Sequence, residues 1–222
     1  MNKIIAYFQN AGRLRIAMTL VGNLFVGLGV GVFKLSRLGS PPFDGMNMAI
    51  AEVLGIPYPL LQIIVNLFLF AFQLWLGRHL LGLGTVLNAF LLGYIVTFFY
   101  EFFLQFGAPQ SFLLRLVIMA GGVLSVAFGL SLYQTADLGV APYDALSMII
   151  GERQHRLPYF WCRLATDAVC ALLCFLFGGI VGLGTLFSAF GFGPFIHFFD
   201  LHFSRKLVRK SEAPVSKGAR SQ

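Results

Sequence analysis

The sequence predicts an all-α polytopic membrane protein made of two three-span repeats of inverted topology, each with an additional short helix started by proline. Three observations predict this fold class. The chain of 222 residues is 58% hydrophobic, with 25 phenylalanines and only 11% charged residues, whereas a soluble domain carries roughly 25% charged residues. Its long apolar stretches match the ~20 residues that cross a hydrocarbon core. The pattern Leu-Gly-x-x-Pro-aromatic-Asp occurs twice, at 38–44 and one hundred residues later at 138–144.

The first span is expected at 12–33. A basic then apolar amino-terminal stretch also resembles a cleaved leader. Arg15, Gly22, Leu24 and Gly29 recur as Arg115, Gly122, Leu124 and Gly129, however, so this segment belongs to the fold. A short helix follows over 42–54, opened by a proline whose fixed φ suits a first turn and whose missing N–H costs nothing there. At ~1.5 Å per residue it reaches only ~20 Å, so it dips partway into the membrane or lies in the interface. Phe43, Met46, Ile50 and Val53 fall on one side of it, and Asp44, Asn47 and Glu52 on the other. Span two is expected at 57–77, opened by Pro57-Tyr58-Pro59, and span three at 83–106.

After a loop with Gly107 and Pro109 the plan recurs. Span four is expected at 112–133 and a second short helix at 142–151, followed by the polar run Glu152-Arg153-Gln154-His155-Arg156. Span five is expected at 157–177, opened by Pro158-Tyr159, and span six at 183–203. Gly84/Gly184, Thr85/Thr185, Ala89/Ala189, Phe90/Phe190 and Gly93/Gly193 hold the same offset. The expectation is a single membrane domain, with repeat one at about 12–106, repeat two at about 112–203 and a basic tail at 204–222.

An odd number of spans per repeat inserts the second copy upside down, as in many secondary transporters. The net charge of +7 is concentrated at the two ends. Lys3, Arg13 and Arg15 lie at or before the first span, and Arg205, Lys206, Arg209, Lys210, Lys217 and Arg220 after the last. Both termini are therefore expected in the cytoplasm, with an even number of crossings. Arg78, His79, Arg153 and Arg156 then fall inside and Glu101 outside, while external Lys34 and Arg37 run against the rule. Eight crossings with parallel repeats is the alternative, and it adds Arg78 to the exceptions. Beside a membrane span, a basic tail implies contact with anionic lipid heads rather than with nucleic acid.

Polar groups at membrane depth are costly unless paired or facing a cavity, so they are the candidate site residues. Asp44 and Asp144 come first. Each either caps its own helix at the positive end of the dipole or converges with its twin to hold a cation, a proton or an amine. Asn66 and Asp167 are the second pair, at an offset of 101, with Gln62 and Arg163 one turn earlier. Arg163 and Asp167 are i, i+4 neighbours that neutralise each other, as a packing clamp or as part of a site. Asn88, Ser188, Thr85 and Thr185 line the same path or serve as packing points.

Other constellations carry no chemistry. Cys162, Cys170 and Cys174 lack the partners of a metal set and are expected as packing residues. Gly27, Gly29 and Gly31 sit inside an apolar span, where close helix packing explains them. The four histidines form no metal spacing, and no nucleophile motif occurs. No enzyme activity, metal or cofactor is expected.

The twin Leu-Gly-x-x-Pro-aromatic-Asp segments, the Pro-Tyr that follows and the Gly-Leu-Gly-Thr before the last span resemble the YczE/YyaS/YitT group of bacterial integral membrane proteins. The likeness covers about 12–203 and is closest to the YczE-like branch, which lacks the soluble carboxy-terminal domain of the YitT-like branch. It implies a bacterial inner-membrane location and little mechanism.

The expected function is transport of a small solute, cation- or proton-coupled, by alternating access around Asp44, Asp144, Asn66, Asp167, Arg163 and Gln62. The alternative is a non-transporting accessory or scaffold protein that docks a partner through the Phe-rich faces of spans three and six. The same faces also suit a homodimer.

Overall fold

A computed structural model describes residues 12–154 and 159–209. Lys3, His155, Arg156, Pro158, Lys210, Lys217 and Arg220 lie outside the described residues. Within them the chain forms eight α-helices: α1 (Arg13–Ser36), α2 (Pro42–Leu54), α3 (Tyr58–Leu76), α4 (Leu83–Leu104), α5 (Phe112–Ala136), α6 (Pro142–Arg153), α7 (Tyr159–Leu176) and α8 (Leu183–Phe199). Six coincide with the six apolar stretches, and α2 and α6 are the short proline-started helices.

Four of them, α1, α3, α4 and α5, are long and apolar enough to cross a membrane. Helix α7 carries Arg163 and Asp167 within its 18 residues. Helix α8 contains Pro194 and gives way to a π-helical turn, Asp200–Ser204, before helix resumes over 205–209. Large apolar side chains point outward, among them Phe68, Trp75, Phe98 and Phe175. In water such a surface would aggregate, and in a bilayer it faces lipid of equal apolarity. The chain is a multi-pass membrane protein.

The centre of the molecule is the pair α1 and α5, which pack along their whole length. Their glycines allow it. A Cβ on Gly22 would lie 2.8 Å from the Gly129 carbonyl oxygen, and one on Gly29 would lie 2.8 Å from that of Gly122. As α1 advances from 22 to 29, α5 retreats from 129 to 122, so the two helices are antiparallel. Van der Waals contact between backbones is what small residues supply where lipid gives no hydrophobic drive.

Each of these helices ends in the same way. Arg37 and Asp137 both take φ of 55°, and Gly39 and Gly139 follow at 118° and 100°. Non-glycine residues rarely adopt that region. Here it turns the chain back to start α2 and α6. The two turns are then exchanged across the molecule. The Gly184 N–H at the start of α8 donates to the Leu38 carbonyl at 2.8 Å, and the Gly84 N–H at the start of α4 donates to the Leu138 carbonyl at 2.7 Å. Thr85 adds a hydroxyl hydrogen bond to the Val140 carbonyl at 2.8 Å.

Helix α2 is buried on both its apolar and its polar side over Pro42–Asn47 and exposed at its end, where Glu52, Val53 and Leu54 stand outside. Asp44 and Asn47 are buried, whereas Val53, expected on the apolar face, is 61% exposed. Phe43 and Met46 are buried as well, against Cys170 and Cys174. Burial therefore follows position along α2 rather than its two faces, with the start of the helix in the interior, where Asp44 finds hydrogen-bond donors, and its end outside.

Candidate functional site

The starts of α2 and α6 meet in the interior. The rings of Phe43 and Tyr143 stack with centroids 4.3 Å apart and planes 12° from parallel. Around them lies a small cavity of about 60 Å³. Its walls come in pairs one hundred residues apart: Val26 and Val126, Phe43 and Tyr143, Asp44 and Asp144, Asn88 and Ser188, Leu92 and Phe192. Arg163 and Asp167 complete it. The two loops that the sequence repeats therefore converge on one space.

On the α6 side the cavity wall is charged. Arg163 reaches Asp144 through Nη1 and Asp167 through Nε, the latter at 3.4 Å. Its guanidinium carbon stands 4.8 Å from the centre of the Tyr143 ring, a cation–π geometry. Tyr143 donates its hydroxyl hydrogen to Asp167 at 2.6 Å, and Tyr133 donates to the other oxygen of Asp144. Both acids are thus held by donors on other helices. In a low-dielectric interior such bracketing is what makes a buried charge tolerable. The i, i+4 pairing of Arg163 with Asp167 is present, and Arg163 serves Asp144 as well.

On the α2 side the same positions are neutral. Asp44 accepts from the Tyr58 hydroxyl at 3.0 Å and from Gln62 Nε2 at 3.3 Å. Gln62 stands where Arg163 stands in the second half, and Asn66 stands where Asp167 does. Asn66 donates to the Ala89 carbonyl at 3.4 Å. The side-chain oxygens of Gln62 and Asn66, and both polar atoms of Asn47, are buried without a partner. Neither Gln62 nor Asn66 touches the cavity, so they form a layer behind Asp44.

A second, larger space of about 520 Å³ opens from the charged side. Every residue lining it lies between Leu130 and Arg205. Arg163, Asp144, Asp167 and Ser188 form its inner end, and Gln134, Thr135, His197, Asp200 and Arg205 its outer part. At the rim Thr135 donates to Asp200 at 2.8 Å, and Arg205 pairs with Asp200 at 2.7 Å.

The equivalent region of the first half is closed. A Cβ on Gly93 would meet Gln62 Oε1 at 2.7 Å and Pro59 Cα at 2.9 Å, whereas one on Gly193 would meet nothing within 4 Å. Helix α4 is packed onto α3 and α1, and α8 stands away from α7.

Of the residues expected from sequence, Asp44, Asp144, Arg163 and Asp167 share the cavity, and Asn88 and Ser188 line it with them. Thr85 and Thr185 do not line it. They sit at the starts of α4 and α8, where each hydroxyl accepts from the N–H of Gly82 or Gly182. The cysteines are free and buried. Among the described residues no three His, Cys, Asp or Glu side chains gather as a metal set. Tyr58, Tyr133 and Tyr143 were not singled out as site residues by sequence reasoning. Aromatics are abundant in this chain, and only the position of Tyr143 inside the repeated motif hinted at a role.

Comparison with known proteins agrees with this membrane architecture. The chain is 32% identical over 186 residues to an uncharacterized protein of Haemophilus influenzae, covering 83% of this chain and 82% of the relative. It is 25% identical over 186 residues to the uncharacterized membrane protein YczE of Bacillus subtilis, covering 83% of this chain and 85% of the relative. It is 25% identical over 190 residues to the uncharacterized protein YyaS of Bacillus subtilis, covering 84% of this chain and 94% of the relative. No solved structure matches the chain. Residues 13–201 match the DUF6198 model, and the chain belongs to this family of unknown function.

Proposed function

We propose that this protein is a secondary transporter of a small solute, built from two inverted three-span repeats and working by alternating access without chemical change to the solute. The observation that carries the reading is the contrast between the two cavities. The small one is lined by equivalent residues of both halves and contains both short-helix starts. The large one is lined by the second half alone and leads to the small one through Asp144, Arg163 and Asp167. A central site shared by two copies, reached from one side by one copy, is the arrangement that rocking about a fixed site requires.

The antiparallel pairing of α1 with α5 and the exchange of the 38–39 and 138–139 turns support inverted repeats. Six crossings follow in this reading. Both termini are cytoplasmic, and the location is the bacterial inner membrane. The large cavity reaches the end of α8 that leads into Arg205, Lys206 and Arg209, so it is the cytoplasmic vestibule. Three carboxylates facing one guanidinium favour a cationic solute or cation coupling. Gln62 steadies Asp44 through its Nε2, and Asn66 ties α3 to the Ala89 carbonyl of α4.

The test uses a matched pair of single cysteines in a background free of Cys162, Cys170 and Cys174. Ala189 lines the vestibule and Ala89 is its buried counterpart. Impermeant thiol reagents are expected to label Ala189→Cys from the cytoplasm and Ala89→Cys from the outside only. If Ala89→Cys stays unlabelled from the outside under every condition, in folded protein, the alternating reading is wrong and a one-sided accessory role replaces it.

A further inference from the structure

The vestibule changes character along its depth. On α8 the residues Ser188, Phe192, Ile196 and Asp200 line it at successive turns, a spacing that puts them on one face of the helix. That stripe runs from the inner end to the cytoplasmic rim over ~18 Å of helix. Its middle is apolar, and Leu130 of α5 and Phe160 of α7 line the same space. Its inner end is the cluster of Arg163 with Asp144 and Asp167.

That inner cluster is not neutral. Arg163 is paired with both Asp144 and Asp167, so two carboxylates meet one guanidinium and one negative charge is left in excess. At the rim Asp200 and Arg205 balance each other at 2.7 Å. An excess charge at membrane depth is costly until a counter-charge arrives. The two acids also have room for more donors. Asp144 accepts from Tyr133 and Arg163, and Asp167 from Tyr143 and Arg163, one donor to each carboxylate oxygen. An ionised carboxylate offers about four lone-pair sites, so each acid keeps places for further N–H groups.

We infer that the vestibule binds an organic amine with one positive charge and an apolar body. The ammonium group, with its three N–H donors, lies against Asp144 and Asp167, and the body lies along Leu130, Phe192 and Ile196. A cavity of about 520 Å³ has the size and the mostly apolar lining of sites that take small organic molecules. A bare metal ion would leave the apolar wall without use, and a neutral apolar solute would leave the excess charge unmet. This inference names the substrate class of the transporter proposed above and rests on that reading for movement across the membrane, while the binding is tested by itself.

The experiment is calorimetric titration of the purified full-length protein in detergent, with empty micelles as the reference. The probes are phenylbutylamine, phenylbutanol and phenylbutyrate, which share one body and differ in the charge of the head. Wild type is expected to bind the amine about tenfold more tightly than the alcohol, the usual worth of a charge-assisted hydrogen bond, and the carboxylate more weakly than either. Asp167→Asn keeps the shape and removes the excess charge, and is expected to bring the amine to the affinity of the alcohol while leaving the alcohol unchanged. A Cβ at Gly193 meets nothing within 4 Å, so Gly193→Leu fills the vestibule without disturbing the packing and is expected to abolish binding of all three. Should Asp167→Asn fail to fold, the wild-type series and Gly193→Leu carry the test. Equal affinity of wild type for amine and alcohol overturns the inference and assigns the excess charge to a proton. A preference for phenylbutyrate, or no binding of any probe, overturns it as well. Amine binding that survives Gly193→Leu in folded protein places the amine elsewhere and also overturns it. Thiol labelling at Ala89→Cys and Ala189→Cys is read independently, so failure here leaves alternating access standing, and failure there leaves the amine site standing.

Discussion

Gly22 of α1 and Gly129 of α5 touch backbone to backbone. A Cβ on Gly129 would lie 2.5 Å from the Gly22 carbonyl oxygen and 2.7 Å from the Val26 nitrogen. These are main-chain atoms, which do not swing aside. The two longest helices are therefore locked at a spacing set by the absence of a single methyl group.

Gly129→Ala is expected to force α1 and α5 apart and to cost about 1–3 kcal/mol, the usual toll of overpacking. Gly121→Ala, eight positions earlier on the same helix, meets nothing within 4 Å and is expected to be neutral or slightly stabilising. Thermal midpoints of the two variants in detergent decide the matter. Equal midpoints would show that the α1–α5 contact is not tight.

Arg163→Met keeps length and removes charge, leaving Asp144 and Asp167 facing each other. Breaking a fully buried pair costs about 3–5 kcal/mol. The cost here is expected below that range, because the Arg163 side chain is 23% exposed to the vestibule. Adding Asp144→Asn and Asp167→Asn is expected to recover most of the lost stability, since the repulsion then disappears. A triple variant no more stable than Arg163→Met would show that packing, not charge, is what Arg163 supplies.

Tyr133 is fully buried and donates its hydroxyl to Asp144. Tyr133→Phe removes one donor from a buried acid and is expected to lower stability by about 1–3 kcal/mol. Phe33, the equivalent residue in the first half, is also fully buried. The edge of the Phe33 ring lies close against Gly184, so the added hydroxyl of Phe33→Tyr is expected to overpack and to destabilise as well. Urea or thermal unfolding of both variants checks the pair.

Thr85→Val tests the exchanged turns. Its hydroxyl donates to the Val140 carbonyl at 2.8 Å, tying the start of α4 to the turn before α6. Loss of that bond is expected to cost about 1 kcal/mol. It is also expected to speed proteolysis within 137–141, read by mass spectrometry, with no change at 37–41. Equal cutting of both turns would show that Thr85 acts on general stability only.

Pro194 lies inside α8, where α4 has Tyr94, and a π-helical turn follows at Asp200–Ser204. Proline removes a helical hydrogen bond, and π turns mark places where a helix bends. Pro194→Leu is expected to straighten α8 and to reduce cytoplasmic labelling of Ala189→Cys several-fold. Unchanged labelling would show that Pro194 does not hold the vestibule open.

Much of the architecture was legible from local pattern. Apolar length marked six helices, the two prolines marked the starts of α2 and α6 at Pro42 and Pro142, and the motif repeat marked Asp44 and Asp144 as twins that either cap their helices or converge. These features depend on hydrocarbon thickness and backbone geometry, which act on each segment by itself. The inward turn of Asn47, the outward turn of Val53, the hydroxyl of Tyr133 on Asp144 and the reach of Arg163 to two acids were not legible. Each depends on which helix crosses which, and at what depth. The same holds for the vestibule, because Gly93 and Gly193 are the same residue in the same motif, one packed against Gln62 and Pro59 and the other open. Residue type determined what could bury and what could bend, and the packing of α4 and α8 decided which half closed, because the shared glycines at 93 and 193 carry no local signal of which helix will lie against them.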